Sequence, residues 1–565
     1  MAQDARLIDR RSLVCASMAS LGSLTLVGCA GVGGDAPEAD DAGEVDELAA
    51  ETIEVGIARP VCLDPYGATA PADAQIVFQL FDPLTRYDFE TGALTCLAAE
   101  SYLVSEDQRT LTFTLRDATF HDGQSVRAID FKRAWDRLVS PKSAAAKQWA
   151  SPSVARLLAL VEGYDAVRAG TSSSLAGVSC PDERTLVVKL SAPYADFPSV
   201  VADPRLAPVP EAAEDDPQAF AASPVGNGPF KVDGALEDGG EGLDLLCFDD
   251  YAPAPAEVAR VRMTFQESVT DSYRAFESGD LTVSACPIEN ADANAASWKS
   301  NDDERLQLNA NRHIVLGSEP VVSYLACNTA SQPLDNPDVR RAISMAIDRD
   351  ALSKRVFRDV RMPAYGIVPP DVPGYREEGW SAAQHDVTGA NRLLDAVYPK
   401  DEEGGRGLNI SLLYSTDCGH QKAMEEIVSD LEEAGIACEL EEVEFDELHR
   451  RLDAGEFSLA RVDWMPDVPV MDNVLFPLFH SSCIGAHNYA RYANERVDEL
   501  IDEARTLASN TERQERLRAA EGIIAADMPV IPYIFGAHAV AGSRRIAKLL
   551  IDPQGYAHFF EAQLV

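Results

Sequence analysis

The stretch SLARVDWMPD, residues 458–467, joins a short apolar run to a tryptophan, a proline and an acid. The run predicts a buried strand over 458–462, and the proline predicts a turn after it. Arg461, Asp463, Trp464 and Asp467 therefore gather where the strand ends. A strand edge, an aromatic face and opposite charges are the groups that hold a short zwitterionic peptide. An ordinary core strand with a solvated turn gives the same pattern, so this stretch alone leaves both interpretations open.

Predicted strands and helices alternate on both sides of this stretch. The strands are predicted at 51–58, 110–116, 185–190, 408–414, 437–443 and 529–535, and the helices at 128–139, 338–356, 495–509 and 512–527. In the first of these helices Phe131, Trp135 and Leu138 fall on one face, as expected when one side of a helix is buried. Strands that alternate with helices predict an α/β fold.

The composition limits the size of the cores and the kind of partner. The chain has 565 residues, 46% of them hydrophobic, which is enough for about two or three lobes with their own cores. It carries 92 acidic and 49 basic residues, a net charge of −43. Nucleic acids and anionic membrane surfaces are therefore not expected as partners, because no basic surplus is present to neutralise phosphates. The acidic excess would attract cationic ligands weakly, but it is equally typical of a soluble acidic surface.

Residues 1–28 are predicted to be a lipoprotein signal peptide and not part of the fold. Arg6, Arg10 and Arg11 form a basic start, and the run of apolar and small residues after them is too short and too weakly apolar to span a membrane. The pair Arg10 and Arg11 leaves the twin-arginine route and the general secretory route both open. No later run contains about 18 uninterrupted apolar residues, so no transmembrane helix is expected.

The stretch LVGCA, residues 26–30, resembles a bacterial lipobox, in which the cysteine receives the lipid and becomes the mature N-terminus. The resemblance makes Cys29 the expected lipid anchor. Residues 29–50 are acidic and contain no aromatic side chain, which predicts a disordered tether. The expected location is the outer face of the cytoplasmic membrane, at a bacterial cell surface or in a periplasm, with the lipid as the membrane attachment.

The cysteine spacing and the short motifs give no support for a metal site, a cofactor or an enzyme active site. Eleven cysteines are present, and nine remain when Cys15 in the signal peptide and Cys29 are set aside. This odd number leaves at least one thiol without a partner in the chain, and the spacing assigns no disulfide. His480, Cys483 and His487 have the spacing H-x-x-C-x-x-x-H, but no acidic ligand accompanies them, and we expect no metal. The sequence contains no G-x-S-x-G, H-E-x-x-H or P-loop motif, so neither an enzyme nor a cofactor is expected.

Several stretches resemble, in the same order, the solute-binding proteins of peptide and nickel ABC transporters. This is the extracellular solute-binding protein family 5, and the resemblance is closest to its oligopeptide-binding kind. The stretches are TLTFTLRDATFHDGQSVRAIDFKRAW at 110–135, SPVGNGPFKV at 223–232, CNTASQPLDNPDVRRAISMAIDRDAL at 327–352, MPAYGIVPPDVPGY at 362–375 and MPVIPYIF at 528–535. Each stretch alone is weak evidence, but their common order is specific, and the similarity runs from about residue 51 to the C-terminus.

The resemblance implies an α/β fold of the periplasmic-binding-protein type 2-like kind, with two main lobes joined by a hinge and an extra inserted lobe. Lobe I would comprise 51–84, 224–322 and 528–565, lobe II 85–223, and lobe III 323–527. The ligand would lie between lobes I and III, and the chain would cross between them near Val322 and Asp527. Closure about this hinge would give the transporter a shape that it can recognise.

The function that the resemblance implies is capture of oligopeptides and their delivery to an ABC permease. The implied partners are a peptide ligand and transmembrane permease subunits driven by cytoplasmic ATPases, and the binding protein would be a monomer. A binder of dipeptides, nickel chelates or another small solute is the alternative within this class. A receptor that senses peptides without importing them is an alternative of another class, and an exported hydrolase is a third.

The resemblance also implies roles for individual residues. Asp467 would pair with the α-amine of the peptide, with Trp464 beside it; the alternative is a carboxylate that is satisfied by the backbone of a loop. The backbone of Asp463, Trp464 and Met465 would pair with the peptide as an added strand, which reads peptide bonds and not side chains. Met465 and Pro466 depart from the family pattern, so the shape of this pocket is not implied.

On the opposite side of the ligand, Thr69, Ala70 and Ala72 occupy the family position for a second backbone pairing. Pro71 between them offers no N–H group.

Three further side chains have two interpretations each. Arg461 aligns with a basic residue of the family site and would either meet a ligand carboxylate or lock Asp467. His420 would be the basic partner of the peptide C-terminus, or an ordinary histidine of a surface loop. Tyr324 would line the pocket, or it would be a core tyrosine.

Overall fold

The computed structural model describes residues 51–565 except 90, 150–152, 253, 299–306, 310–312, 378, 403–404 and 417–419. The predicted signal peptide, the acidic tether and the lipid anchor Cys29 lie outside the described residues, and so does Cys418.

The strands and helices cover most of the described chain. The strands are β1 Thr52–Ile57, β2 Thr85–Asp88, β3 Ala93–Cys96, β4 Ala99–Val104, β5 Thr110–Leu115, β6 Val178–Ser179, β7 Thr185–Lys189, β8 Phe230–Asp233, β9 Gly242–Cys247, β10 Arg260–Phe265, β11 Val283–Ala285, β12 Gln307–Asn309, β13 Ile314–Cys327, β14 Asn409–Ser415, β15 Ala437–Val443, β16 Leu459–Trp464, β17 Val530–Gly542, β18 Ile546–Ile551 and β19 Ala557–Leu564. The helices are α1 Pro71–Leu80, α2 Ala128–Val139, α3 Tyr164–Arg168, α4 Phe197–Val200, α5 Ala212–Asp215, α6 Pro217–Ala222, α7 Val269–Ser278, α8 Ile288–Trp298, α9 Pro337–Ala346, α10 Arg349–Phe357, α11 Val387–Val397, α12 Gln421–Glu433, α13 Phe445–Ala454, α14 Asp472–Phe479, α15 Glu495–Thr506 and α16 Asn510–Asp527.

A ten-stranded sheet forms the centre of the described chain, in the order β15-β14-β16-β13-β17-β11-β1-β10-β9-β8. Near one edge β14 pairs in parallel with β15 and β16, and in the other half β1 pairs in parallel with β10 and β11. Parallel neighbours need crossover connections, which the helices between these strands supply. Three smaller sheets have the orders β12-β18-β19, β2-β3 and β4-β5-β7-β6. The α/β fold predicted from the sequence is confirmed.

Two long strands, β13 and β17, join the two halves of the central sheet. They are 14 and 13 residues long and pair with each other antiparallel along most of their length. The two strands have different outer neighbours: β16 pairs with the second half of β13, and on the opposite side of the pair β11 pairs with the end of β17. Each half of the sheet is therefore built on a different part of the same two-stranded ladder.

The ladder between β13 and β17 is irregular at its middle. Glu319 pairs with Gly536 and Val322 with Phe535, so Pro320 and Val321 are extra residues on β13. Proline has no N–H group to donate to a ladder, which explains why the pairing is interrupted here. A second shift follows at once, and it leaves Tyr533 as the extra residue on β17.

The buried side chains form two large cores that meet at this irregularity. One core is built by residues between 322 and 535. The other is built by residues between 53 and 315 and between 540 and 562, together with Val468. Residues 528–535 pack in the first core, and along β17 the second core begins at Val540, so the chain passes from one core to the other within this strand.

The helix predicted over 338–356 is divided in the structure into α9 and α10. Asp348 lies between them in an extended conformation, and its carboxylate accepts a hydrogen bond from the N–H of Ala351 at 2.9 Å. Such a contact caps the start of a helix. The prediction of one continuous helix is wrong because Asp348 begins a new helix, with the buried Arg349 as its first residue.

Candidate functional site

The strand predicted over 458–462 is observed as β16, somewhat nearer the C-terminus. Its ladder with β13 runs from Leu459, opposite Cys327, to Trp464, opposite Val322. Its ladder with β14 includes only Leu459 and Ala460. The second half of β16 therefore extends past β14 and leads into the turn that carries Asp467.

Arg461 and Asp463 form a buried ion pair on β16. Residues two apart on a strand point to the same face, which brings the guanidinium and the carboxylate together. The hydroxyl of Ser323, on β13 opposite Asp463, donates a second hydrogen bond to this carboxylate at 2.6 Å. Burial alone would raise the pKa of Asp463, but the Arg461 guanidinium and the Ser323 hydroxyl hold it below its usual value. One of the two expected roles of Arg461 was to hold Asp467 in place. In this ion pair the partner of Arg461 is Asp463 instead.

The bulge residue Tyr533 extends this polar network towards His420. The Tyr533 hydroxyl lies 3.5 Å from Arg461 Nε and 3.5 Å from His420 Nδ1. His420 is 6% exposed, so the interpretation as a surface-loop histidine is wrong. Burial, and then the charge of Arg461, hold the pKa of His420 well below its usual value. At neutral pH the imidazole is therefore uncharged, and it would meet a ligand carboxylate as a hydrogen-bond donor and not as a cation.

Glu319 and Arg361 lie beside the same network. Burial raises the pKa of Glu319 to about 7, while Arg361 lowers it and Asp463 raises it. The Arg361 guanidinium lies over the ring of Phe357, 5.0 Å from its centroid, and its buried Nε has no hydrogen-bond partner among the described residues. This part of the site thus combines two carboxyl groups with two guanidinium groups at the middle of the central sheet.

Trp464 does not present the open aromatic wall that the sequence suggested. Its side chain is 2% exposed, and its indole N–H donates to the carbonyl of Asn473 at 3.0 Å. The ring of His487 packs edge-on against it, with 5.4 Å between the centroids. Met465, the next residue, is half-buried. Trp464 therefore packs in the core next to the site. Its role in ligand contact stays a prediction.

Asp467 lies in the turn after β16 and is paired with a cation from a distant part of the chain. Its Oδ2 accepts hydrogen bonds from Arg156 Nη2 at 2.7 Å and from Nε at 3.2 Å. The side chains are 14% exposed for Asp467 and 29% for Arg156. The backbone N–H of Asp467 donates to Asn473 Oδ1 at 2.8 Å, which fixes the turn. The alternative interpretation was that the backbone of a loop satisfies this carboxylate. The structure shows an ion pair with Arg156 instead.

Thr69, Ala70 and Ala72 do not form an extended edge. Ala72 lies in α1, and the N–H groups of Thr69 and Ala70 donate to Asp73 Oδ2 at 3.3 and 3.0 Å. Asp73 thus caps the start of α1, and Thr69 and Ala70 directly precede this helix. The N–H donors of Thr69 and Ala70, proposed here for a peptide, are already in use.

Tyr324 lies in the core. It is 1% exposed and sits on β13 opposite Val462. The core interpretation of this residue fits the structure better than that of a pocket wall.

The structure therefore brings Arg461, Asp463 and His420 together, and it places Asp467 at the end of the same strand. Sequence reasoning missed the contributions of Ser323, Tyr533, Glu319, Arg361 and Arg156. The spacing of Arg461 and Asp463 on a predicted strand was a usable signal for their pairing. The other contacts join segments far apart in sequence, for which no local pattern exists.

The described residues contain no group of three or more His, Cys, Asp or Glu side chains placed to hold a metal ion. In the H-x-x-C-x-x-x-H motif, the ring of His480 stacks on Phe476 and the ring of His487 packs against Trp464. The eight cysteines within the described residues are free thiols. No helix among the described residues is long and apolar enough to cross a membrane.

Comparison with known proteins agrees with this fold. Residues 94–486 match the family described as bacterial extracellular solute-binding proteins, family 5. The chain is 27% identical to the dipeptide-binding protein DppE of Bacillus subtilis over 512 residues, covering 88% of this chain and 89% of the relative. It is 25% identical to the oligopeptide-binding protein OppA of the same organism, covering 96% and 97%.

A solved structure gives the same result for the fold. The unliganded open form of the murein tripeptide binding protein MppA superposes with a TM-score of 0.78 at 22% sequence identity, covering 91% of this chain and 97% of MppA. These relatives are binding proteins by name and not enzymes. The match covers more than half of the chain, which therefore belongs to family 5 of the bacterial extracellular solute-binding proteins.

Proposed function

We propose that this protein captures oligopeptides outside the cytoplasmic membrane and delivers them to an ABC permease. The observation that carries the proposal is the position of Asp467, a partly exposed carboxylate at the end of a central strand in a family 5 chain. An α-ammonium group would complement it, and the names of relatives such as OppA and DppE support a peptide ligand. A micromolar affinity corresponds to about −8 kcal/mol, which backbone pairing and one charged contact would supply after ordering costs.

The peptide would lie along the free end of β16, with Asp463 and Met465 offering backbone groups in the manner of an added strand. The opposite side of the ligand would use groups other than the N–H donors of Thr69 and Ala70, because Asp73 accepts from both. The irregularity at Pro320 and Val321 supports a hinge there, because a ladder that lacks regular pairing bends more easily.

The proposal includes the attachment and the partners. Cys29 would carry a lipid that holds the protein at the outer face of the membrane, and residues 29–50 would be the tether. The protein would act as a monomer, with lobe II as an insertion in lobe I. The permease subunits and their ATPases would supply the energy for transport.

Mass spectrometry of the ligand that co-purifies from the native host tests the proposal most directly. We expect short peptides with a free amine, and a nickel chelate or a non-peptide solute would contradict the assignment. Uptake of a labelled peptide in a strain lacking the gene separates import from sensing. Import should fall in that strain, whereas unchanged import with a lost peptide response would favour a receptor.

A further inference from the structure

The carboxylate proposed to read the ligand amine already has a cation. Arg156 belongs to a short 3-10 helix, Ser153–Leu158, which is 311 positions from Asp467 in sequence. Two of its N–H groups donate to Oδ2 of Asp467, at 2.7 and 3.2 Å. The position that an α-ammonium would occupy beside this oxygen is therefore taken by a guanidinium of the same chain.

The turn that carries Asp467 is held in place by more than this ion pair. Val468, the next residue, is 2% exposed and packs in the core built by residues 53–315 and 540–562. The backbone N–H of Asp467 is also fixed by Asn473. Loss of the Arg156 guanidinium should therefore leave the turn in place while it removes the positive charge beside Asp467.

Coulombic attraction decides what the guanidinium does to a ligand. A carboxylate that is paired with a guanidinium attracts a second cation much less than an isolated carboxylate does, because the pair has no net charge. A ligand ammonium must displace Arg156 from Oδ2 or share the carboxylate with it. A ligand whose amine is blocked meets no such competition.

We propose that Arg156 is an internal competitor for the amine anchor Asp467 and so sets the selectivity between free and blocked N-termini. This inference rests on the proposed peptide-binding function. Arg156 lowers the affinity for peptides with a free ammonium group. It therefore reduces the difference in affinity between these peptides and N-acetylated peptides. It is a specificity-determining residue that acts through Asp467.

Calorimetry with tetra-alanine and N-acetyl-tetra-alanine tests the proposal on the wild type and on Arg156→Gln, Arg156→Lys and Arg184→Gln. Arg156→Gln should bind tetra-alanine up to about 5-fold more tightly, the range for release of a partly exposed ion pair, with the acetylated peptide unchanged. Arg156→Lys keeps the competing charge and should behave as the wild type does. Arg184 belongs to the same segment and forms an exposed pair with Glu100, so its variant controls for the loss of one positive charge.

Two results would overturn the inference while peptide binding stands. One is weaker binding of tetra-alanine by Arg156→Gln, which would make Arg156 a direct ligand contact. The other is an equal change, or no change, for both peptides. Failure of the wild type and of every variant to bind either peptide would instead contradict the peptide-binding function, and the inference would fall with it.

Discussion

Arg461 and Asp463 pair with each other on one face of β16, at the centre of the sheet. Both side chains are largely buried, and the low pKa of Asp463 keeps the carboxylate charged at neutral pH. A ligand carboxylate at Arg461 would therefore compete with Asp463 for the guanidinium. The pair also matters for stability, because neither charged group is well exposed to solvent and each therefore needs the other.

Replacing Asp463 with alanine should destabilise the protein strongly. Arg461 would be left as a buried cation without its counter-ion, which typically costs about 3–5 kcal/mol. Urea denaturation would measure the loss in the free energy of unfolding. The double variant Asp463→Ala/Arg461→Met should recover most of it. As a control, Glu447→Ala in the exposed pair with Arg450 should leave the free energy of unfolding almost unchanged. A single variant as stable as the wild type would show that the pair is not needed.

Gly536→Ala should disturb the junction between the two cores. A Cβ atom at Gly536 would lie 2.9 Å from Val321 Cβ and 3.0 Å from Glu319 Cβ, closer than packed carbon atoms come. Overpacking of this kind costs about 1–3 kcal/mol, and we also expect weaker peptide binding if the junction is the hinge. Gly522→Ala is the matched control, because it lies inside α16 with no neighbour within 4 Å and should stabilise by about 0.5–1 kcal/mol. Equal stabilities of the two variants would contradict the steric account.

Glu319 should make stability fall as the pH rises. Burial raises its pKa from 4.5 to about 7, so the folded state favours the protonated carboxyl. This contribution is fully present below about pH 4.5, is lost as the pH rises through about 7, and stays lost above it. Glu319→Gln should therefore match the wild type at low pH and exceed its melting temperature at about pH 8. The difference should reach on the order of 2–3 kcal/mol in the free energy of unfolding.

The control for this experiment is Glu561→Gln, which removes a negative charge at an exposed position. Its melting curve should run parallel to that of the wild type at every pH. If the Glu319→Gln curve does the same, the carboxyl is not titrating between the folded and unfolded states.

Asp467→Asn should weaken the binding of peptides with a free amine by about 1.5–3 kcal/mol, the scale of a charged hydrogen bond. Calorimetry would measure this, with N-acetylated peptide as the internal control. Arg156 is partly exposed, so it can turn to solvent and should not prevent folding of the variant. Unchanged affinity for free peptides would remove Asp467 from the site.

Cys29→Ser should release the protein from membranes. The lipid would be attached through this thiol, and nothing in the described residues offers another membrane-spanning element. Fractionation of cells that express the full chain would follow the protein by immunoblot. A variant that still sediments with the membranes would contradict the lipid anchor.

Much of the fold was accessible from the sequence because it depends on local patterns. The alternation in residues 110–116 gave β5, and the apolar face of Phe131, Trp135 and Leu138 gave α2 with its observed bounds. The division between α9 and α10 was missed, although Asp348 is a good capping residue, because the apolar period continues across it. The local pattern also did not show that the N–H groups of Thr69 and Ala70 are occupied. Both donate to the side chain of Asp73, in the first turn of α1.

The site was only partly accessible because its contacts are between distant segments. Arg461 and Asp463 lie on one strand, so their proximity follows from strand geometry. Arg156 meets Asp467 only because the segment 85–223 folds against the turn after β16. Tyr533 reaches Arg461 only because the register shifts within β17. Neither event has a signature in the local sequence.

The ladder of β13 and β17 has one more consequence. Both strands contribute side chains to both large cores, and the change from one core to the other occurs within the strands and not in a loop. Neither core can therefore be excised as an autonomous folding unit by cutting the chain between elements. The halves that are proposed to move apart and close around a ligand are, as regards folding, a single unit.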